Sequence, residues 1–73
     1  MKIKINKLGQ ILKGHKTGWF VQIVPKEDKG YWIFIFKTKT NLEESDNYDY
    51  WAEDFNNIKE YFEHFKWEIE WLE

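Results

Sequence analysis

The chain has 73 residues, with five Trp, four Tyr and six Phe, no cysteine and a formal net charge of −2. That length sets one domain, residues 1–73, and the lack of cysteine excludes disulfides and thiolate-bound zinc. There is no apolar run of ~18 residues, so no membrane span is expected.

A chain this short buries only about 60–65% of the surface its unfolded form exposes. The aromatic side chains are the expected compensation, since each buries about 150–250 Å². Charge is segregated along the chain. Residues 1–40 carry nine lysines against Glu27 and Asp28, and residues 41–73 carry eleven acids against Lys59 and Lys66. This pattern predicts two halves folded against each other, with lysines meeting carboxylates, or else an acidic face that meets a partner. Arginine is absent, and the surplus of Lys, Asn, Ile, Phe and Tyr points to an AT-rich, bacterial or phage genome. Met1 to Leu12 lacks the apolar core of a signal peptide, so a cytoplasmic location is expected.

Met1 to Ile5 alternates Lys and Ile and reads as the start of a strand. Asn6 then reads as a helix N-cap, with Leu8, Ile11 and Leu12 on one face and Gly14 as the stop. A helix over residues 6–13 is expected, with a strand as the alternative, because Gly9 weakens a helix by ~1 kcal/mol relative to Ala. Trp19 to Val24 alternates as a strand, with Trp19, Val21 and Ile23 on one side. Pro25 to Gly30 has turn composition. Tyr31 to Lys37 is the strongest strand. Its two faces, Tyr31/Ile33/Ile35 and Trp32/Phe34/Phe36, are both apolar, so it is expected to be central. Together these two strands predict an antiparallel hairpin.

Thr38 to Asn47 reads as a polar surface loop, and Tyr48 to Glu53 as a short third strand. Asp54 caps a helix running to about Phe65, with an apolar stripe of Phe55, Ile58, Tyr61, Phe62 and Phe65. Trp67 to Leu72 is a final strand, aromatic on one face and bearing Glu68 and Glu70 on the other. The expected fold is therefore α+β. A small, mainly antiparallel sheet in α-β-β-β-α-β order carries the C-terminal amphipathic helix on one face. The second face of the central strand needs a cover: the long loop, the first helix or a second subunit.

No catalytic constellation stands out. Glu60 and His64 lie one helical turn apart, but a metal site needs a third ligand. The loop from Gly14 to Gly18, which holds His15, lacks the spacing of a phosphate-binding loop. Glu43, Glu44, Asp46 and Asp49 cluster, but without the alternation, glycine and closing Glu of a calcium loop. Ser45, the sole serine, has no positioned base. These readings predict a non-enzymatic protein without cofactor or metal. Trp19, Trp32, Phe34 and Phe36 beside nine N-terminal lysines suggest base stacking. The negative net charge, the absence of arginine and the lack of an RNP-type signature count against nucleic acid.

The segments Gly18-Trp-Phe-Val, Gly30-Tyr-Trp-Ile-Phe-Ile, Tyr48-Asp-Tyr-Trp-Ala-Glu, Ile58-Lys-Glu-Tyr-Phe and Trp67-Glu-Ile-Glu-Trp-Leu resemble short bacterial α+β proteins of the immunity-protein type. The resemblance spans residues 18–72 and implies a protein that neutralises a neighbouring toxin, with no catalytic residue. The resulting expectation is a small protein-interaction module, immunity- or inhibitor-like. It would use an acidic face of Glu43, Glu44, Asp46, Asp49, Glu68 and Glu70, together with Trp32, against a basic protein partner. The alternatives are a single-stranded nucleic-acid binder and a structural homodimer.

Overall fold

The computed structural model describes residues 3–37 and 48–72. Five strands and one helix follow in the order β1 (Leu8–Lys13), β2 (Phe20–Pro25), β3 (Tyr31–Phe36), β4 (Tyr48–Ala52), α1 (Phe55–Phe65) and β5 (Glu68–Trp71). The α+β class is as expected, but the order is β-β-β-β-α-β. All neighbours in the sheet pair antiparallel, in the spatial order β4-β3-β2-β1-β5. The first four strands form a meander. The chain then leaves one edge through α1 and returns as β5 at the other edge.

The expected N-terminal helix is instead strand β1, and the reason is tertiary. Asn6 adopts φ 62°, a left-handed conformation that does not start a helix. Leu8 to Lys13 then pairs on both sides, with β2 through Gly9↔Val21 and with β5 through Gly9↔Trp71. Two ladders outweigh the weak helical propensity of a six-residue segment. Gly9 makes the close pairing possible. A Cβ there would lie 2.5 Å from Cγ2 of Ile69 and 2.9 Å from the Trp71 ring. Ile3 and Ile5 precede β1 without joining the sheet and pack half-buried against the core.

The hairpin of β2 and β3 forms as expected, with Pro25↔Tyr31 closing the ladder and the Lys26 N–H donating to the Gly30 carbonyl at 2.9 Å. Strand β3 is interior, flanked by β2 and β4, but the middle position belongs to β2. The expected loop at 38–47 lies outside the described residues.

Helix α1 begins where the sequence places it. The Asp54 carboxylate accepts the Asn57 N–H at 2.8 Å, which satisfies one orphan donor of the first turn. Lys66 ends the helix in the left-handed region at φ 57°, its N–H bonding back to the last turn. The buried stripe is narrower than expected. Ile58 and Phe62 are buried and Tyr61 and Phe65 half-buried, but Phe55 is 37% exposed and lies under the Lys59 ammonium.

The core joins Ile11, Val21, Ile23, Ile33, Ile35 and Ala52 from the sheet to Ile58, Phe62 and Trp67. Trp67 is the hinge between helix and last strand. It is 1% exposed, meets Phe62 edge-on at 5.1 Å, and donates its indole N–H to the His15 carbonyl at 2.8 Å. That bond removes the cost of burying an unsatisfied indole N–H. Ile69, on the core-facing side of β5, is only half-buried, because β5 is an edge strand.

Candidate functional site

Residues directly opposite in a ladder share a sheet face, and successive residues alternate. The registers therefore assign every strand position. One face holds Ile33, Ile35, Val21, Ile23, Ile11 and Tyr50, and α1 covers it through contacts such as Tyr61 and Phe65 against Tyr50 at 5.7 and 5.5 Å. No described helix or strand lies over the other face.

That second face is built in rows. Trp51, Trp32 and Val24 form the first, then Asp49, Phe34, Gln22 and Leu8, then Phe36, Phe20, Gln10 and Glu70. A bulge in β1 then brings Lys13 opposite Glu68, with their side-chain charges 3.7 Å apart. Along β3 the rings of Trp32, Phe34 and Phe36 stack in sequence at 6.0 and 6.4 Å. Trp32 and Phe34 are half-buried, Phe36 is buried, and Trp51 is 44% exposed. Lys26 leans over the first row, its ammonium 5.2 Å from the Trp32 ring and 5.5 Å from the Trp51 ring. The result is an aromatic strip with carboxylates on both flanks, Asp49 on β4 and Glu68 and Glu70 on β5.

Four of the residues expected to meet a partner, Trp32, Asp49, Glu68 and Glu70, thus stand on one face. Glu43, Glu44 and Asp46 lie outside the described residues. Sequence reading missed Trp51, Phe20 and Lys26 as members of this face. The parity signal was present, since the turn that sets Pro25 opposite Tyr31 also sets Phe20 opposite Phe36. Trp19 does not join the other aromatics proposed for stacking. It has the opposite parity, packs against the core, and shares the Lys16 ammonium with Tyr48 at 4.4 and 4.2 Å.

The two histidines lie elsewhere. The His15 ring stacks on Phe65 at 5.0 Å, and the His15 backbone N–H donates to the Phe65 carbonyl at 2.9 Å. His64 is exposed at a shallow hollow with Asn57, Glu60 and Tyr61, where the Asn57 amide donates to Glu60 at 3.2 Å. Among the described residues no three His, Asp or Glu side chains gather closely enough to hold a metal ion. No described helix is long and apolar enough to cross a membrane.

Electrostatic perturbation appears in the β2–β3 turn. The Asp28 carboxylate accepts the Lys29 N–H at 2.8 Å, and that bond, its own N–H and the nearby Lys26 charge hold it below the usual carboxylate range.

The class of protein defined here is a small α+β domain with one helix-covered sheet face and one aromatic face over which no described helix or strand lies. Comparison of the chain with protein-family models, curated proteins and solved structures gives no significant match.

Proposed function

We propose that the protein is a non-enzymatic interaction module that docks a basic protein partner on the sheet face opposite the helix, in the manner of an inhibitor or immunity protein. One observation carries this reading: the registers bring Trp32, Asp49, Glu68 and Glu70 onto the same face. Aromatic anchors surrounded by charged rims are the usual anatomy of a protein interface. The rim carboxylates would speed encounter with a basic partner. The resemblance to immunity-type proteins supports the same direction.

The test is binding to the protein encoded by the neighbouring gene, followed by calorimetry and stopped-flow kinetics. Trp32→Ala is expected to weaken the complex by raising its dissociation rate, and Glu70→Lys to lower the association rate. Lys59→Ala on the helix side should change neither.

A second reading has its own support. The Trp32–Phe34 pair beside Lys26, both rings half-buried, matches the stacking platform that single-stranded nucleic acids use. The flanking carboxylates count against it, since they repel phosphates. Submicromolar oligonucleotide binding at physiological salt, lost on Trp32→Ala and strengthened by Glu70→Lys, would replace the protein-partner reading with this one.

A further inference from the structure

The loop between β1 and β2 sets a cation between two aromatic rings. Trp19 and Tyr48 have the parity of Val21 and Ile35, so they stand on the helix side of the sheet, away from the proposed docking face. Their ring centroids are 5.9 Å apart and their planes meet at 39°, which makes a wedge. The Lys16 ammonium fills it, 4.4 Å from the Trp19 centroid and 4.2 Å from that of Tyr48. No described carboxylate pairs with that ammonium. The Lys26 ammonium stands farther from its own two rings, at 5.2 and 5.5 Å.

The backbone carries strain to bring Lys16 there. Lys16 sits at φ 60°, between Gly14 at φ 102° and Gly18 at φ 93°. That left-handed region suits glycine and disfavours lysine. The loop is held without the Lys16 side chain. The Gly18 N–H donates to the Ile11 carbonyl at 2.7 Å, the Trp19 N–H to the Lys16 carbonyl at 3.0 Å and the Thr17 hydroxyl to the Gly14 carbonyl at 2.7 Å.

The wedge does not suit its occupant chemically. A primary ammonium has three N–H donors and is strongly hydrated. Two ring faces attract its charge but replace none of the water that its donors lose. A quaternary ammonium has no N–H to satisfy. It brings the same charge on methyl groups, which gain by leaving water for the rings.

We propose that the Trp19–Tyr48 wedge binds a small quaternary ammonium compound of the choline type, with Lys16 as an internal competitor that swings out when the ligand enters. The ligand takes the volume that the Lys16 ammonium already fills. Solvent reaches that volume, since Tyr48 is 46% exposed and Lys16 half-buried.

Choline chloride titrated from about 0.1 to 100 mM into isotope-labelled protein, with ionic strength held constant by sodium chloride, reads the site through the Trp19 indole N–H signal in NMR spectra. The signal should move to saturation. Lys16→Gly removes the competitor and suits the left-handed backbone, so it should bind choline about five- to tenfold more tightly than the parent, with far-UV circular dichroism unchanged. In that variant ammonium chloride should give no saturable shift. Adding Tyr48→Leu, which removes one exposed wall, should weaken choline binding at least about tenfold. The proposal is overturned by Lys16→Gly showing no saturable shift up to about 100 mM choline or binding no tighter than the parent, by an equal response to ammonium, or by a response that survives Tyr48→Leu. A trimethyl-lysine peptide or phosphatidylcholine vesicles binding Lys16→Gly more than about tenfold tighter than choline would overturn the small-molecule ligand and make the quaternary ammonium part of a macromolecule.

Discussion

Phe62→Ala tests the packing on which every other statement about the faces depends. Phe62 is 1% exposed, and its ring meets Trp67 edge-on at 5.1 Å. A phenylalanine ring removes about 150–250 Å² from water, which at about 25 cal/mol per Å² is about 4–6 kcal/mol as an upper bound. Measured Phe→Ala changes in cores fall at about 3–5 kcal/mol, because the cavity collapses only in part. Collapse is restricted here. Trp67 is tied to the His15 carbonyl at 2.8 Å, and the sheet cannot follow the helix inward. A loss of about 4 kcal/mol is expected, against a total of about 4–11 kcal/mol for a domain of this length. Urea denaturation followed by tryptophan fluorescence and circular dichroism should show a midpoint displaced by molar amounts, or no folded baseline. Phe55→Ala is the internal control. The sequence puts it on the same stripe, but it is 37% exposed, so its cost should stay under about 1 kcal/mol. Equal midpoints for the two variants would refute the helix register.

Three further outcomes follow from local geometry. Gly9→Val should cost about 1–3 kcal/mol and speed amide hydrogen exchange in β5 ahead of the other strands, because its side chain would collide with Ile69 and Trp71. Asp54→Ala should cost about 1 kcal/mol, read as a lowered thermal midpoint, by removing the acceptor of the Asn57 N–H. The Asp28 carboxyl has a folded pKa below its ordinary value of 3.8, so its support of the turn is complete above that value and lost as pH falls through the lower folded value. An NMR titration of the Asp28 side chain should show the depressed midpoint, and Asp28→Asn should remove the acid-side weakening of the Lys26–Gly30 turn.

The elements that were legible in the sequence are those whose signal is local. The alternation in Phe20 to Phe36, the turn between them and the cap at Asp54 each need only neighbouring residues to be read. The first strand needed more. Leu8, Ile11 and Leu12 have a helical spacing, and only the pairing of Gly9 with both Val21 and Trp71 decides for a strand. The same limit applies to the site. Parity within β3 was visible, and it correctly joined Trp32, Phe34 and Phe36. The partners from β4 and β5 were not, because a register between distant strands is set by packing and not by spacing. Trp19 was misplaced for a different reason, since its parity was legible within its own strand and was not applied to it. Its aromatic character suited the second face, but its parity with Val21 and Ile23 sends it to the core side.

The segregation of charge along the chain takes its meaning from the strand order. Strands β1 to β3 come from the lysine-rich half and occupy the interior of the sheet, while β4 and β5 come from the acidic half and form its two edges. Two lysines of the first half settle on rings, Lys16 on Trp19 and Tyr48 and Lys26 on Trp32 and Trp51, while Lys13 pairs with Glu68. Such contacts are worth about 0.5–1 kcal/mol at exposed sites, comparable to a surface ion pair. Asp49 on β4 and Glu70 on β5 stand at the two rims of the aromatic strip. A basic partner approaching the sheet face opposite the helix would meet acid on each side, and neither rim alone would steer it. Asp49→Lys and Glu70→Lys are therefore expected to slow association with the neighbouring-gene protein by similar factors, and to multiply when combined, with the salt dependence shrinking in step. Stopped-flow rates at several ionic strengths measure this. If one reversal slows association and the other does nothing, the partner uses a single edge of the sheet and the two-rimmed docking surface is wrong.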